Sequence, residues 1–427
     1  MKKKNILSLF SGCGGMDIGF EGGFKIPKST LNRKINSDWI QKEDSKYIFL
    51  KETIFETSFA NDISEFAKIT WDDYFSSKKG KDFKDVFRVG SIVDIVKSYK
   101  SGEKNVFPRK IDVVTGGFPC QDFSVAGKRK GFNSHKDHHG NIITEEIPTI
   151  ETRGQLYMWM REVIQITKPN IFIAENVKGL ANLGEVKNII QNDFSKGDIE
   201  EYIVLNPRVL HSGNFGVPQS RERIIFIGFK KSSLTKKALE ILTKGDIIQE
   251  LDPYPEITHK LNNDILFDKN NNNIIPFVKL RDVLLELEEP EKSKDLSQQF
   301  YSKAKFMGFH CQGQREVSLD KLAPTIRSEH HGNIEFRRLS KHNGGNYTNE
   351  LQKGLKERRL TLRECARIQT FPDDFNFVIP NKSESKSKFL VSPSVGYKLV
   401  GNAVPPLMAY HIAKKIEKNW SFYFKNS

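Results

Sequence analysis

Ile6-Leu7-Ser8-Leu9-Phe10-Ser11-Gly12-Cys13-Gly14-Gly15-Met16-Asp17-Ile18-Gly19-Phe20 reads as a strand, a glycine loop and the start of a helix. The apolar run Ile6 to Leu9 suits a buried strand. Glycines after it let the backbone approach a ligand closely, and the helix amino end favours a carboxylate or phosphate. A tight structural turn would use the same glycines. Strand, glycine loop and helix in this order open a nucleotide-binding α/β fold, whose ligands sit at the carboxyl ends of parallel strands.

Further strands follow along the chain. Thr57-Ser58-Phe59-Ala60-Asn61-Asp62-Ile63 reads as the second, closed by an acid that can hold a ribose hydroxyl pair or cap the helix from Ser64 onward. Asp62 lies further from the glycine loop than the usual ~20 residues. A polar insertion, Lys25 to Phe59, accounts for the gap and shows little pattern of its own. Val89-Gly90-Ser91-Ile92 reads as a third strand end, and Ile111-Asp112-Val113-Val114-Thr115 as a fourth strand. The fourth runs into Gly116-Gly117-Phe118-Pro119-Cys120-Gln121-Asp122-Phe123-Ser124, where two glycines allow a sharp turn and Pro119 stiffens it. A thiol is thus held at a strand's carboxyl end. Cys120 is either a nucleophile or a small core residue, and its polar neighbours favour the first.

Leu156 to Thr167 has helical periodicity, and Ile171-Phe172-Ile173-Ala174 is a buried strand capped by Glu175-Asn176-Val177. Glu175 can be catalytic or can cap the following turn. Val204 to Leu210 and Ile224-Ile225-Phe226-Ile227-Gly228 are further strands. Before the last, alternation places Arg221 and Arg223 on one face, for anion or carbonyl recognition or for an ion-pair network with Glu222.

With 427 residues the chain is long enough for two domains, and its +14 net charge favours a polyanionic partner, nucleic acid before membrane. Four cysteines, Cys13, Cys120, Cys311 and Cys365, form no CxxC pair, so no disulfide framework or zinc site is expected and a reducing cytosol fits. Met1 to Lys4 lead straight into a strand with no cleavage-site pattern, and no apolar run is long enough to span a bilayer. Ala126 to Phe132 is a basic glycine-rich loop suited to phosphate contact. His135, His138 and His139 lack a ligand-spaced partner, so no metal is expected. From Lys230 to about Arg358 the chain is polar and irregular, and reads as a second, smaller domain. Regular structure resumes at Arg359, with Thr361 and Glu364 forming a capping box. Val395 to Pro406 reads as a loop, and a last helix covers Leu407 to Lys418.

Six of these stretches, in order, resemble the DNA (cytosine-5)-methyltransferase family: Phe10 to Gly15, Gly117 to Gln121, Glu175 to Val177, Gln219 to Arg223, Arg359 to Phe371, and Gly401 to Pro405. The resemblance implies a Rossmann-like S-adenosylmethionine-dependent catalytic domain from residues 1–229 and 359–427, and a target-recognition domain at 230–358. It implies methyl transfer from S-adenosyl-L-methionine to carbon 5 of a cytosine in double-stranded DNA, on a flipped-out base. Cys120 would add to carbon 6 as a thiolate, a form only about 3% populated near pH 7 for a free thiol. Glu175 would hold ring nitrogen 3 and the exocyclic amine, for which a raised pKa is expected. Arg223, and with it Arg221, would stabilise charge at the cytosine oxygen. The cofactor would meet Phe10, Gly12, Cys13, Gly14, Gly15, Asp62, Ile63, Ile92 and Leu156, together with Asn402 and Val404 from the far end of the chain. Gln121, Ser124, Lys128, Arg129 and Arg153 would face the DNA. Ser91 stands where the family usually has an acid facing adenine. A bacterial restriction-modification role is implied, with a monomer acting at the nucleoid in the cytoplasm and paired functionally with a restriction endonuclease. A tRNA cytosine-5 methyltransferase and a catalytically silent DNA-binding relative are the competing readings. The long variable segment at 230–358 favours sequence-specific duplex DNA over tRNA.

Overall fold

Seven strands lie side by side in the centre of the computed structural model, which describes residues 2–80, 85–119, 156–183, 185–245, 247–261, 273–328, 334–382 and 387–425. They are β1 (Lys4–Leu9), β2 (Phe55–Asp62), β3 (Phe87–Val89), β4 (Val113–Gly117), β5 (Ile171–Val177), β7 (Arg208–His211) and β8 (Glu222–Lys230); the short β6 (Tyr202–Val204) pairs beside β7 on β8. Their order is β7-β8-β5-β4-β1-β2-β3. The strands from β5 through β3 run parallel to one another, and β8 is antiparallel to β5. The expected α/β class is therefore the observed one. The order reverses between β1 and β4, so the glycine loop after β1 and the Gly117 turn after β4 leave neighbouring strand ends at the switch point.

The central strands are buried on both faces, as parallel strands covered by helices must be. One face carries α3 (Ile92–Lys100), α4 (Leu156–Thr167) and α5 (Val186–Ser195), packed on Leu7, Val114, Phe172 and Phe226. The other carries α1 (Gly15–Glu21) and α2 (Glu65–Lys79) with the returning carboxyl-terminal helices. Three of these are α7 (Leu362–Ile368), α8 (Pro393–Asn402) and α9 (Pro406–Lys418), preceded in the chain by α6 (Lys236–Lys244). The helix α4 has the bounds its periodicity predicts, and the Thr361–Glu364 capping box is formed.

Four local expectations change. Val395 to Pro406 is mostly the helix α8, capped by Ser392 with Pro393 in its first turn, and only its end is loop. Ile92 is the first residue of α3, with Ser91 as its N-cap, because the Ser91 hydroxyl accepts from Val93 N. Glu175 lies within β5, paired with Gly117 and Ile225, so it does not cap a turn. The insertion is ordered: strands 25–27, 47–50 and 40–43 form their own antiparallel sheet.

That small sheet braces three other parts of the chain. Trp39 packs edge-on against Tyr410 and His411 of α9. The buried Asn32 amide donates to Thr258 O (2.9 Å) and Asn273 O (2.7 Å). Tyr47 Oη accepts from Arg367 of α7 (2.6 Å) and donates to Asp373 (3.0 Å).

The segment after Lys230 first packs against the central sheet and the end of the chain. Thr235 N donates to Tyr423 O (2.9 Å), and Tyr254 Oη donates to Ile225 O (2.9 Å). Residues from Val278 to Ile334 then join the same apolar core as β1, α1 and α9.

Candidate active site

The glycine loop leaves β1 through Phe10, whose φ of 51° is left-handed. Ser11 and Ser8 hydroxyls and Trp71 Nε1 all donate to the buried Asp17 carboxylate of α1. Burial pushes the Asp17 carboxyl above its ordinary range, against those donors. Asp17 is a positioning residue that sequence reading passed over; the signal was an acid in the first helical turn behind a glycine loop.

The loop glycines divide by task. Gly12 has φ +55°, and a Cβ there would meet nothing within 4 Å, which leaves an open cradle at the β1 end. A Cβ on Gly14 would meet Trp71 at 2.7 Å, and one on Gly15 would meet Val404 O at 2.3 Å. Gly14 and Gly15 therefore serve close packing, of which the second contact brings in the carboxyl-terminal segment. Cys13 turns inward, 1% exposed, with its thiol donating to Leu399 O (3.6 Å) and its pKa raised by burial.

Asp62 closes β2 beside this loop. Its carboxylate accepts from Gly12 N (3.0 Å) and Ser64 N (2.9 Å), while Ser64 itself caps α2. Burial raises its pKa. Ile63, next along, is 52% exposed and offers an apolar face at the same edge. Ile92 and Leu156 sit below, buried with Leu9 and Phe118 in one cluster. Asn402 is exposed at the end of α8, and Val404 is buried against Gly15. The open cradle at Gly12, the carboxylate of Asp62 and the bare Ile63 side chain fit a nucleoside ligand lying across the β1 and β2 ends.

Two strands away, a second set converges. Glu175 Oε1 pairs with Arg223 Nε at 2.7 Å, and both side chains are nearly enclosed. A Cβ on Gly117 would meet Glu175 Oε2 at 2.8 Å, so the carboxylate lies against the backbone three residues before Cys120. Asn176 Nδ2 donates to Phe118 O (3.1 Å), which ties the end of β5 to that turn. Burial pushes the Glu175 carboxyl above its ordinary range, opposed by Arg223 and then Arg221. Arg221 is 1% exposed and bridges chain segments: its guanidinium donates to Ile326 O and Gly401 O, both at 3.0 Å.

The stretch 323–327 was not singled out by its residue types. It pairs with the Gln219–Arg221 segment: Ser220 N donates to Ala323 O (2.8 Å) and Ile326 N to Gln219 Oε1 (3.0 Å). Gly401 packs so closely on it that a Cβ would meet Arg327 O at 2.4 Å. Only the strand-like run of hydrogen bonds identifies this segment as a wall of the site. Cys120, Gln121, Ser124, Lys128, Arg129 and Arg153 lie outside the described residues.

The family model for C-5 cytosine-specific DNA methylases matches residues 4–418. The chain belongs to that family. Among curated relatives, the Type II methyltransferase M.BsuRI of Bacillus subtilis is 30% identical over 437 aligned positions, covering 100% of this chain and 81% of the relative. The Type II methyltransferase M.NgoPII of Neisseria gonorrhoeae is 27% identical, covering 97% of this chain and 95% of the relative. Among solved structures, the Entamoeba histolytica methyltransferase EhMeth matches with a TM-score of 0.52 at 14% identity, covering 99% of this chain and all of that one. The S. pombe Dnmt2 methyltransferase matches at 0.50 with 17% identity, covering 97% of this chain and 99% of that one. These two share the fold. For this cytosine-5 methylase the expected class of enzyme is thus established. Among the described residues no helix is long and apolar enough to cross a membrane.

Proposed function

We propose that this methylase modifies carbon 5 of one cytosine within a specific duplex DNA sequence, and so protects DNA from a partner restriction endonuclease. The observation that carries the reading is the Glu175–Arg223 pair resting on Gly117, at the root of the turn that leads to Cys120. Carbon 5 of cytosine is a poor nucleophile. Cys120 adds as a thiolate to carbon 6, forming an S–C bond and placing negative charge on the ring. Glu175, whose carboxyl burial pushes above its ordinary range, donates a proton to ring nitrogen 3, and Arg223 stabilises charge at the ring oxygen. Arg221 acts through position, holding 326 and 401 beside the site. S-adenosyl-L-methionine, which Gly12, Asp62 and Ile63 would hold, would supply an electrophilic methyl group, its sulfonium S–C bond breaking to leave the neutral thioether. Once carbon 5 is methylated, water takes its proton, the S–C bond breaks and the thiolate is regenerated.

A stacked base hides carbon 6, so the cytosine must leave the helix. Lys128, Arg129 and Arg153 are suited to clamp the backbone around it, with Gln121 and Ser124 nearby in sequence. Residues 230–358 carry the choice of sequence, and residues 359–427 complete the catalytic part. The protein acts as a monomer at the nucleoid, in the cytoplasm.

The test is methyl transfer from labelled S-adenosyl-L-methionine to unmethylated duplex DNA and to tRNA, with trapping on 5-fluorocytosine DNA. Wild type is expected to label duplex DNA and form a covalent adduct; Cys120→Ala is expected to lose both while binding cofactor normally. Labelling of tRNA alone, or full activity in Cys120→Ala, would sink the reading.

A further inference from the structure

We propose that the turn at Met307 and Phe309 is an apolar wedge that enters the base stack of the duplex DNA substrate; this rests on the function proposed above. Met307 is 57% exposed and Phe309 61%, two positions apart across Gly308, whose φ is 91°. Here the backbone is held from below. Arg359, 1% exposed, donates to Ala304 O (2.8 Å), Lys305 O (3.1 Å), Gly313 O (2.6 Å) and Ile334 O. Gln314 Oε1 accepts from Met307 N (2.9 Å), and Phe306 packs edge-on against Phe309 at 5.3 Å. Five of those partners are groups of the turn itself or its two stems. The tip is therefore fixed before any partner arrives, and binding need not order it.

Charge identifies the partner. From Leu296 to Arg315 the sequence has no Asp or Glu, and it carries Lys303, Lys305 and Arg315. All three, with His310, are exposed around the tip. Lysine is depleted at protein–protein interfaces, whereas phosphates attract it. An apolar side chain flanked by cations is the chemistry that parts a base step.

The wedge is also linked to the catalytic site by a short run of contacts. Arg359 holds Ile334; Glu335, the next residue, pairs with Arg327 at 3.1 Å; Arg327 backs onto Gly401, whose carbonyl Arg221 holds. Flipping a cytosine costs the stacking of its neighbours, and a rigid side chain that parts those neighbours lowers that cost.

The experiment uses the full chain and an unmethylated plasmid that bisulfite sequencing shows wild type to modify. KM for this plasmid, kcat, affinity for S-adenosyl-L-methionine and the unwinding of the relaxed plasmid per bound protein are measured for wild type, Phe309→Ala, Met307→Ala and Phe309→Trp. We expect Phe309→Ala to raise KM about tenfold or more and to reduce unwinding, with cofactor affinity and melting temperature unchanged. Phe309→Trp, which keeps an aromatic face, is expected to restore both. Equal KM and unwinding in wild type, Phe309→Ala and Met307→Ala would overturn the wedge while leaving the methylase reading intact. If bisulfite sequencing finds no duplex DNA that wild type modifies, both readings fall.

Discussion

Glu175 sits where two demands meet. Burial favours its neutral form, and the guanidinium of Arg223 at 2.7 Å favours its charge. The upward direction that results suits a group that must hand a proton to ring nitrogen 3. Glu175→Gln keeps the shape and removes the transferable proton. It is expected to lower the rate of transfer by about 10²–10⁴-fold, with S-adenosyl-L-methionine affinity within about twofold by calorimetry. Arg221 and Arg223 look equivalent in the sequence, two positions apart in an alternating stretch. Their environments separate them: one guanidinium meets a carboxylate at the site, and the other meets two backbone carbonyls that belong to other parts of the chain.

The first helix shows how glycines in one short run carry different loads. On α1, a Cβ at Gly19 would meet Pro406 O at 2.3 Å, so α1 and α9 pack backbone to backbone. Gly19→Ala is expected to cost about 1–3 kcal/mol, read as a lower urea midpoint. Gly12→Ala has room for its methyl group and pays only for its left-handed φ, about 1–2 kcal/mol. That methyl would fill the cradle, so a cofactor affinity about tenfold weaker or worse is expected by calorimetry. A Gly12→Ala protein that binds cofactor normally would remove the loop from the binding site. The strand β5 and the helix α4 were legible from β-branched runs and 3.6-residue spacing. The helix α8 was not, because its glycines, Gly396 and Gly401, read as loop. They are there for close approach: a Cβ at Gly396 would meet Phe377 O at 2.7 Å.

Across the molecule, the insertion, the segment after Lys230 and the last long helix meet around two buried histidines. Burial pulls His411 down to about 3 and His259 down to about 4. Both rings stay neutral in the folded chain where an unfolded histidine, near 6.5, takes a proton. The unfolded state therefore binds more protons between about pH 6.5 and those lower values, and stability falls as pH drops through that window. Buried Asp17 and Glu21, with raised pKa values, act in the opposite sense, losing stability as pH rises. The comparison of wild type with His411→Phe isolates the histidine: its ring packs on Trp39 and Phe215, which a phenylalanine can also do. The variant is expected to lose less stability than wild type between pH 7 and 5 in urea titrations; parallel losses would rule the ring out as the cause.

Periodicity and glycine spacing were enough to state the α/β sheet and a ligand site at its strand ends, and six ordered motifs were enough to state the family, whose resemblance implies the chemistry proposed for Cys120 and Glu175. These are local signals, and a strand or a sharp turn writes its residue preferences into neighbouring positions. The brace built from the insertion, the hold of Arg359 on the 303–315 turn and the wall at 323–327 leave no such trace. Each depends on polar or glycine residues that meet partners 45 to more than 300 positions away. Their side chains carry no period, so only the folded chain, by bringing a donor to a particular carbonyl, decided what they do.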